Sequence, residues 1–177
     1  AELQPALSVL VATTLSLKLH GGANEKELKQ PNMDALQKGM HNLERHLDIL
    51  KSFGQTVVVA INRHPSDTND EIAFITQWCA ERGVKCATHS GFGDGSAGVE
   101  ELARLVVSEI ENNLSGTLKN TYSLEESIET KLNHIVTTIY KGKGISLSKK
   151  AQTALKKINE MGMNNLPVCI AKTQYNF

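Results

Sequence analysis

Short uninterrupted apolar runs alternate along this chain with longer stretches in which apolar residues recur every three or four positions. The first kind is clearest within Thr56–Thr68, TVVVAINRHPSDT. Val57, Val58, Val59, Ala60 and Ile61 read as a strand buried on both faces, the pattern of a parallel sheet. The strand stops at Asn62, and a polar loop containing Pro65 follows. Thr68 and Glu71 then have the spacing of a capping box, which predicts a helix from Asn69 to Arg82 with Ile72, Ile75 and Cys79 inward and Gly83 as its stop.

Leu7–Thr13 (LSVLVAT) predicts a second buried strand, running on through Leu15–Leu19 and breaking at His20-Gly21-Gly22. From Asn32 to Phe53, Leu36, Met40, Leu43, Leu47 and Leu50 form one face of an amphipathic helix, started near Pro31 and ended by Gly54. His41 and His46 fall off that stripe and read as solvated. Val84–Ala87 is a short third strand, and a loop from Thr88 to Gly98 with four glycines and one aromatic, Phe92, follows it. A helix resumes over Val99–Asn112, with Val99, Leu102, Val106 and Ile110 on one face.

The polar stretch Asn112–Tyr122, with Ser115-Gly116, suggests a boundary that divides the chain into 1–114 and 115–177. Beyond it, Ser123 and Glu126 have capping-box spacing before a helix carrying Ile128, Leu132, Ile135 and Ile139. Ser148 caps another helix through Met161, and Leu166–Ala171 (LPVCIA) predicts a last strand. The alternation predicts an α/β fold: an open, mostly parallel sheet with crossover helices, plus a smaller α/β lobe at the C-terminal end.

A length of 177 residues suffices for one sizeable core, or for one domain and part of another. A net charge of zero argues against nucleic acid or an anionic membrane as partner. Cys79, Cys86 and Cys169 lack a metal-ligand spacing, so a reduced, intracellular protein is the simplest account. No run approaches transmembrane length, and no secretory signal opens the chain. The chain starts almost at a strand and stops just after another, so it is expected to be a piece of something longer.

Ligands of open α/β sheets collect beyond the carboxyl ends of the strands. Three loops qualify: Asn62, Arg63, His64, Pro65 and Asp67; the glycine-rich loop with Phe92; and Lys172, Thr173 and Gln174. His20, Gly21 and Gly22 form a further possible ligand loop, although a sharp turn uses the same residues. Amide and carboxylate groups can read the edge of a planar heterocycle, and Pro and ring faces can stack on it. Each loop has a plainer reading too: any buried strand needs a polar exit, and Asp67 can simply bond local amides. No Ser-His-Asp elbow, metal-ligand pair or G-x-x-x-x-G-K-[ST] loop is present, and Lys141-Gly142-Lys143-Gly144 has the wrong spacing for a phosphate loop.

Several strings resemble a known family. LKLHGG at Leu17–Gly22, NLERHLDILKSFG at Asn42–Gly54, VVVAINRHPSDT at Val57–Thr68, the glycine-rich loop with Phe92, and NLPVCIAKTQY at Asn165–Tyr175 are similar, in order, to formate–tetrahydrofolate ligase. That resemblance implies an ATP-dependent enzyme that joins formate to tetrahydrofolate through formyl phosphate, giving 10-formyltetrahydrofolate. It implies a phosphate-loop NTPase-like core whose phosphate loop lies upstream of the matched segment, so ATP and Mg²⁺ would be held mainly by parts outside this chain.

Carried over by position, the resemblance assigns His64, Pro65 and Phe92 to the folate ring. The family usually has another aromatic residue at His64 and Trp at Phe92, so flat faces persist with less area. By analogy with base-reading residues of other phosphate-loop proteins, Asn62, Arg63 and Asp67 suit the adenine side, and catalytic residues are not assigned. The resemblance further implies a cytoplasmic homo-oligomer with small-molecule partners only, and a chain that is inactive alone. A non-catalytic α/β ligand-binding or assembly module is the alternative.

Overall fold

The computed structural model describes residues 3–170. Two compact units divide it, Ala1–Leu118 and Lys119–Phe177. Ser115 and Gly116 stay with the first: their N–H groups donate to the carbonyls of Ala6 and Gly54 at 2.9 and 3.1 Å.

The first unit is built on three parallel strands in the order β1 (Ser8–Ala12), β2 (Val57–Asn62), β3 (Lys85–His89). Between β1 and β2 lie α1 (Thr14–His20) and α2 (Met33–Ser52); between β2 and β3 lies α3 (Asn69–Glu81). A four-residue helical turn, α4 (Gly91–Asp94), and α5 (Glu100–Asn112) follow β3. β2 is central, which explains its unbroken apolar run: Val58 through Ile61 are completely buried. Val57, Val59 and Ile61 face α2 and α3, where they join Leu36, Met40, Leu43, Leu47, Ile75, Trp78 and Cys79 in one core.

β1 differs from the expected strand. It is an edge strand, so only alternate residues are covered; Val9 and Val11 are 42% and 58% exposed. Leu15–Leu19 belongs to α1 rather than to a prolonged strand, because Thr13 caps a helix by accepting from the Ser16 N–H. The capping box at Thr68 and Glu71 forms as the spacing predicted. His46 is half-buried, not solvated, and burial is the main cause of its lowered pKa, with the neighbouring His20 and Arg45 adding to it.

Two glycines set how α1 meets α2. A Cβ on Gly21 would lie 1.7 Å from the Ala35 carbonyl oxygen, and one on Gly39 would lie 1.8 Å from that of Leu17. The helices cross backbone against backbone. Gly21 is therefore a packing residue, and Gly22, with φ of 91°, completes the turn.

Described residues of the second unit form α6 (Ile128–Thr138) and α7 (Lys149–Glu160). Ser127 caps α6, not Ser123; Glu126 instead directs Oε1 towards His134 Nε2 at 3.4 Å. The expected strand over Leu166–Ala171 is not formed in its described part, Leu166 to Ile170. Apart from the Leu166 N–H, which donates to the Met163 carbonyl, its described backbone bonds go to side chains. The fully buried Lys131 donates to the carbonyls of Asn164 and Leu166, and the Tyr122 hydroxyl bonds both the N–H and the C=O of Val168, at 2.8 Å each. No helix among the described residues is long and apolar enough to cross a membrane.

Candidate functional site

Because β2 and β3 are parallel neighbours, their carboxyl ends open on the same edge of the sheet. Asn62 is in register with His89, and the Arg63 N–H extends the ladder by donating to the His89 carbonyl at 2.9 Å. The loop bearing His64 and the loop bearing Phe92 thus leave adjacent strands at one edge. α1 begins at that edge too, since it starts right after β1.

The β2–α3 loop is tied down by Asp67. Its Oδ2 accepts the His64 N–H at 2.8 Å, its Oδ1 accepts the Thr14 hydroxyl, and its own N–H donates to the His64 carbonyl at 2.9 Å. Asp67 is buried with both carboxylate oxygens engaged. This is the local-amide arrangement that its sequence position also allowed.

One helical turn further along α1, a second rung joins it to α3. Lys18, with no exposed surface, pairs with Glu71 Oε1 at 2.9 Å and donates to the Gln30 carbonyl at 3.0 Å. Glu71 also accepts the Asn32 N–H and, through Oε2, the Thr68 N–H and hydroxyl. Burial alone would raise the Glu71 pKa. The bonds from Thr68, Lys18 and Asn32 outweigh it and hold the carboxyl below its usual range.

His64 is half-buried and Pro65 is exposed. The Ser66 N–H donates to His64 Nδ1 at 3.1 Å, and the Ser66 hydroxyl lies 2.7 Å from the same atom. A backbone N–H can only donate, so Nδ1 is an acceptor here and Nε2 carries the ring proton. Arg63 is exposed and bonds Asn69 Oδ1 at 2.9 Å. Phe92, on α4, is fully exposed, with its loop closed beneath it by the Ser90 N–H to Gly98 carbonyl bond at 3.0 Å. A large ring held out on an ordered turn has free surface for a flat ligand.

The remaining candidates fall elsewhere. His20, Gly21 and Gly22 lie at the far end of α1, about 10 Å along the helix from the strand edge. Lys172, Thr173 and Gln174 lie outside the described residues. Sequence reading missed Thr14 and Lys18, whose four-residue spacing matches that of Asp67 and Glu71. It also missed His89, whose buried Nδ1 has no hydrogen-bond partner among the described residues although it stands beside Asn62.

Comparison with known proteins settles the kinship. The sequence profile of the family described as formate–tetrahydrofolate ligase matches residues 1–177. The chain belongs to the formate–tetrahydrofolate ligase family. It is 46% identical to the formate–tetrahydrofolate ligase of Parabacteroides distasonis over 177 residues, all of this chain and 32% of that protein. It is 46% identical to that of Bacteroides thetaiotaomicron over 175 residues, and 45% identical to formate–tetrahydrofolate ligase 2 of Lactobacillus acidophilus over 173. Those matches take in 99% and 98% of this chain, and 32% and 31% of the two proteins. The chain thus spans about a third of the length of the curated ligases it matches.

The resemblance implied ATP and Mg²⁺, so the donor set of this third bears on that expectation. Among the described residues no group of three or more His, Cys, Asp or Glu side chains is placed to hold a metal ion. Asp67 and Glu71, the buried carboxylates nearest the loops, are already saturated by protein donors. These residues do not fit Mg²⁺, and no phosphoryl-transfer step is assigned to them.

Proposed function

We propose that this chain is the folate- and base-recognising portion of an ATP-dependent ligase that forms 10-formyltetrahydrofolate from formate and tetrahydrofolate through formyl phosphate. One observation carries the reading: two ring-bearing loops leave neighbouring parallel strands at the same sheet edge, one with a half-buried imidazole and one with a fully exposed phenyl ring. In this reading His64 and Phe92 supply the faces against which a pterin stacks, and Pro65 adds apolar surface beside them. Asn62 and Arg63 recognise the nucleotide base, and Asp67 acts with them by holding the loop in shape. ATP and Mg²⁺ engage the rest of the full-length enzyme, which works in the cytoplasm as a homo-oligomer.

Charge stabilisation at a transferred phosphoryl group needs a metal, a phosphate-loop lysine and aligned amides. Lacking that set, the chain alone yields no 10-formyltetrahydrofolate from ATP, formate and tetrahydrofolate. In the full-length ligase, Phe92→Ala raises KM for tetrahydrofolate about tenfold, as loss of one stacked ring of ~1–2 kcal/mol requires. KM for ATP stays within twofold. Turnover by the chain alone, or a Phe92→Ala enzyme with unchanged KM for tetrahydrofolate, contradicts the reading.

A further inference from the structure

Cys79 and Cys86 are seven positions apart, one in the last turn of α3 and one in β3, and the proposed ligand site uses neither. The fold brings them together by a tight reversal. The N–H groups of Arg82 and Val84 both donate to the Cys79 carbonyl, at 3.1 and 2.9 Å, while Gly83 turns the chain with φ of 62°. β3 therefore starts directly over the end of α3.

Side-chain direction follows from register. Cys86 pairs with Val59, so it points to the same side of the sheet as Val59, and that side faces α3. Val59 and Cys79 belong to one core cluster and Cys86 packs against it. Register and packing thus place the two thiols side by side on that face of the sheet.

We propose that Cys79 and Cys86 form a dithiol–disulfide site that hydroperoxides oxidise and small thiols reduce. The two sulfurs differ in the way such a site needs. Cys79 is completely buried, whereas Cys86 is only partly so. Bonding to Cys86, and then burial, push the Cys79 thiol up, so it remains a donor. Bonding from Cys79 favours the Cys86 thiolate and lowers its pKa, against the burial and the Glu101 charge that oppose it. Cys86 is the attacking sulfur and Cys79 the resolving one.

In the first step the Cys86 thiolate attacks one oxygen of the hydroperoxide. The O–O bond breaks, the other oxygen leaves with its electron pair and is protonated, and Cys86 becomes a sulfenic acid. In the second step the Cys79 sulfur attacks the Cys86 sulfur. The S–O bond breaks, hydroxide leaves, and the Cys79 proton completes it to water. Two thiols and one hydroperoxide give one disulfide, one water and one alcohol or second water. A small thiol reverses the change through a mixed disulfide.

The bond would join α3, whose start carries the Thr68–Glu71 cap, to β3, which leads into the Phe92 loop. Oxidation would therefore link the two elements that support the candidate loops.

Trypsin supplies a direct test, because it cuts after Arg82 and Lys85 and leaves the two cysteines on separate peptides, 64–82 and 86–104. The folded native chain is treated with hydrogen peroxide, alkylated and digested without reductant. The proposal expects those two peptides to be recovered as one linked species that dithiothreitol separates. Cys86→Ser abolishes the link, and Cys79→Ser leaves a dimedone-reactive sulfenic acid at Cys86. Because the first measurement needs no variant, poor folding of either substitution does not affect it. Recovery of both peptides singly and alkylated after peroxide overturns the proposal. So does a link that forms only after denaturation, or over-oxidation of Cys86 beside a still-reduced Cys79.

Discussion

At the β2–α3 loop, the Asp67 carboxylate holds the His64 N–H on one oxygen and the Thr14 hydroxyl on the other. Asp67→Asn replaces one acceptor with a donor facing a donor. It should cost about 1–3 kcal/mol, read as a lower urea midpoint at unchanged slope. The neighbouring Lys18–Glu71 pair makes a sharper prediction. Lys18→Met leaves a buried carboxylate without its cation and should destabilise by about 3–5 kcal/mol. Lys18→Met with Glu71→Gln should be more stable than Lys18→Met alone, since Gln can still serve the cap and no longer carries charge. A double variant weaker than that single one would mean that the pair contributes more than mutual neutralisation. The pH dependence has a definite sign. Glu71 has a folded-state pKa lowered from 4.5, so its stabilisation is present above that value and is lost as pH falls through the lower folded value. Acid titration of the native chain should show this decline below about pH 4.5, and Glu71→Gln should lack that part of it. Of this, the capping box and the bonding of Asp67 to local amides were legible beforehand; the partners on α1 were not, because Thr14 and Lys18 sit inside what reads as an apolar run. Only the i, i+4 match between the two pairs hinted at a meeting of α1 with the loop.

Among the elements, those whose pattern reports burial on a whole face were readable from sequence. α2 and α3 carry apolar stripes that face the core, and β2 has the continuous run of a central strand. β1 has much the same composition as β2 but lies at an edge, and composition does not encode strand order. The string LPVCIA fails for a related reason: its backbone is bonded by Lys131 and Tyr122 side chains, which satisfy the same groups a neighbouring strand would. Helix crossing is likewise invisible until α1 and α2 are placed together. Gly39 lies inside α2, where Ala is ordinarily better by about 1 kcal/mol. Here a Cβ would meet the Leu17 backbone at 1.8 Å, and backbone cannot swing aside as a side chain can. Gly39→Ala should therefore lower the melting temperature by several degrees, equivalent to about 2 kcal/mol or more. An unchanged or raised melting temperature would show that the helices can separate without loss.

For the molecule as a whole, kinship is secure along the full chain while the chain spans about a third of its relatives. The specific strings around Asn62–Thr68 made the family readable, and parallel register explains why that loop and the Phe92 loop share an edge. What the sequence did not reveal is that Asp67 is held inside the β2–α3 loop by Thr14 rather than facing outward with its neighbours. The central claim is that these two rings act on one flat ligand. A calorimetric double-mutant cycle on a non-reactive tetrahydrofolate analogue, titrated into the native chain, His64→Ala, Phe92→Ala and the double variant, tests it most directly. The account predicts saturable one-to-one binding, a loss of about tenfold for each single variant, and a double loss smaller than their product. Absence of binding to the native chain, or affinity that neither substitution alters, would contradict it.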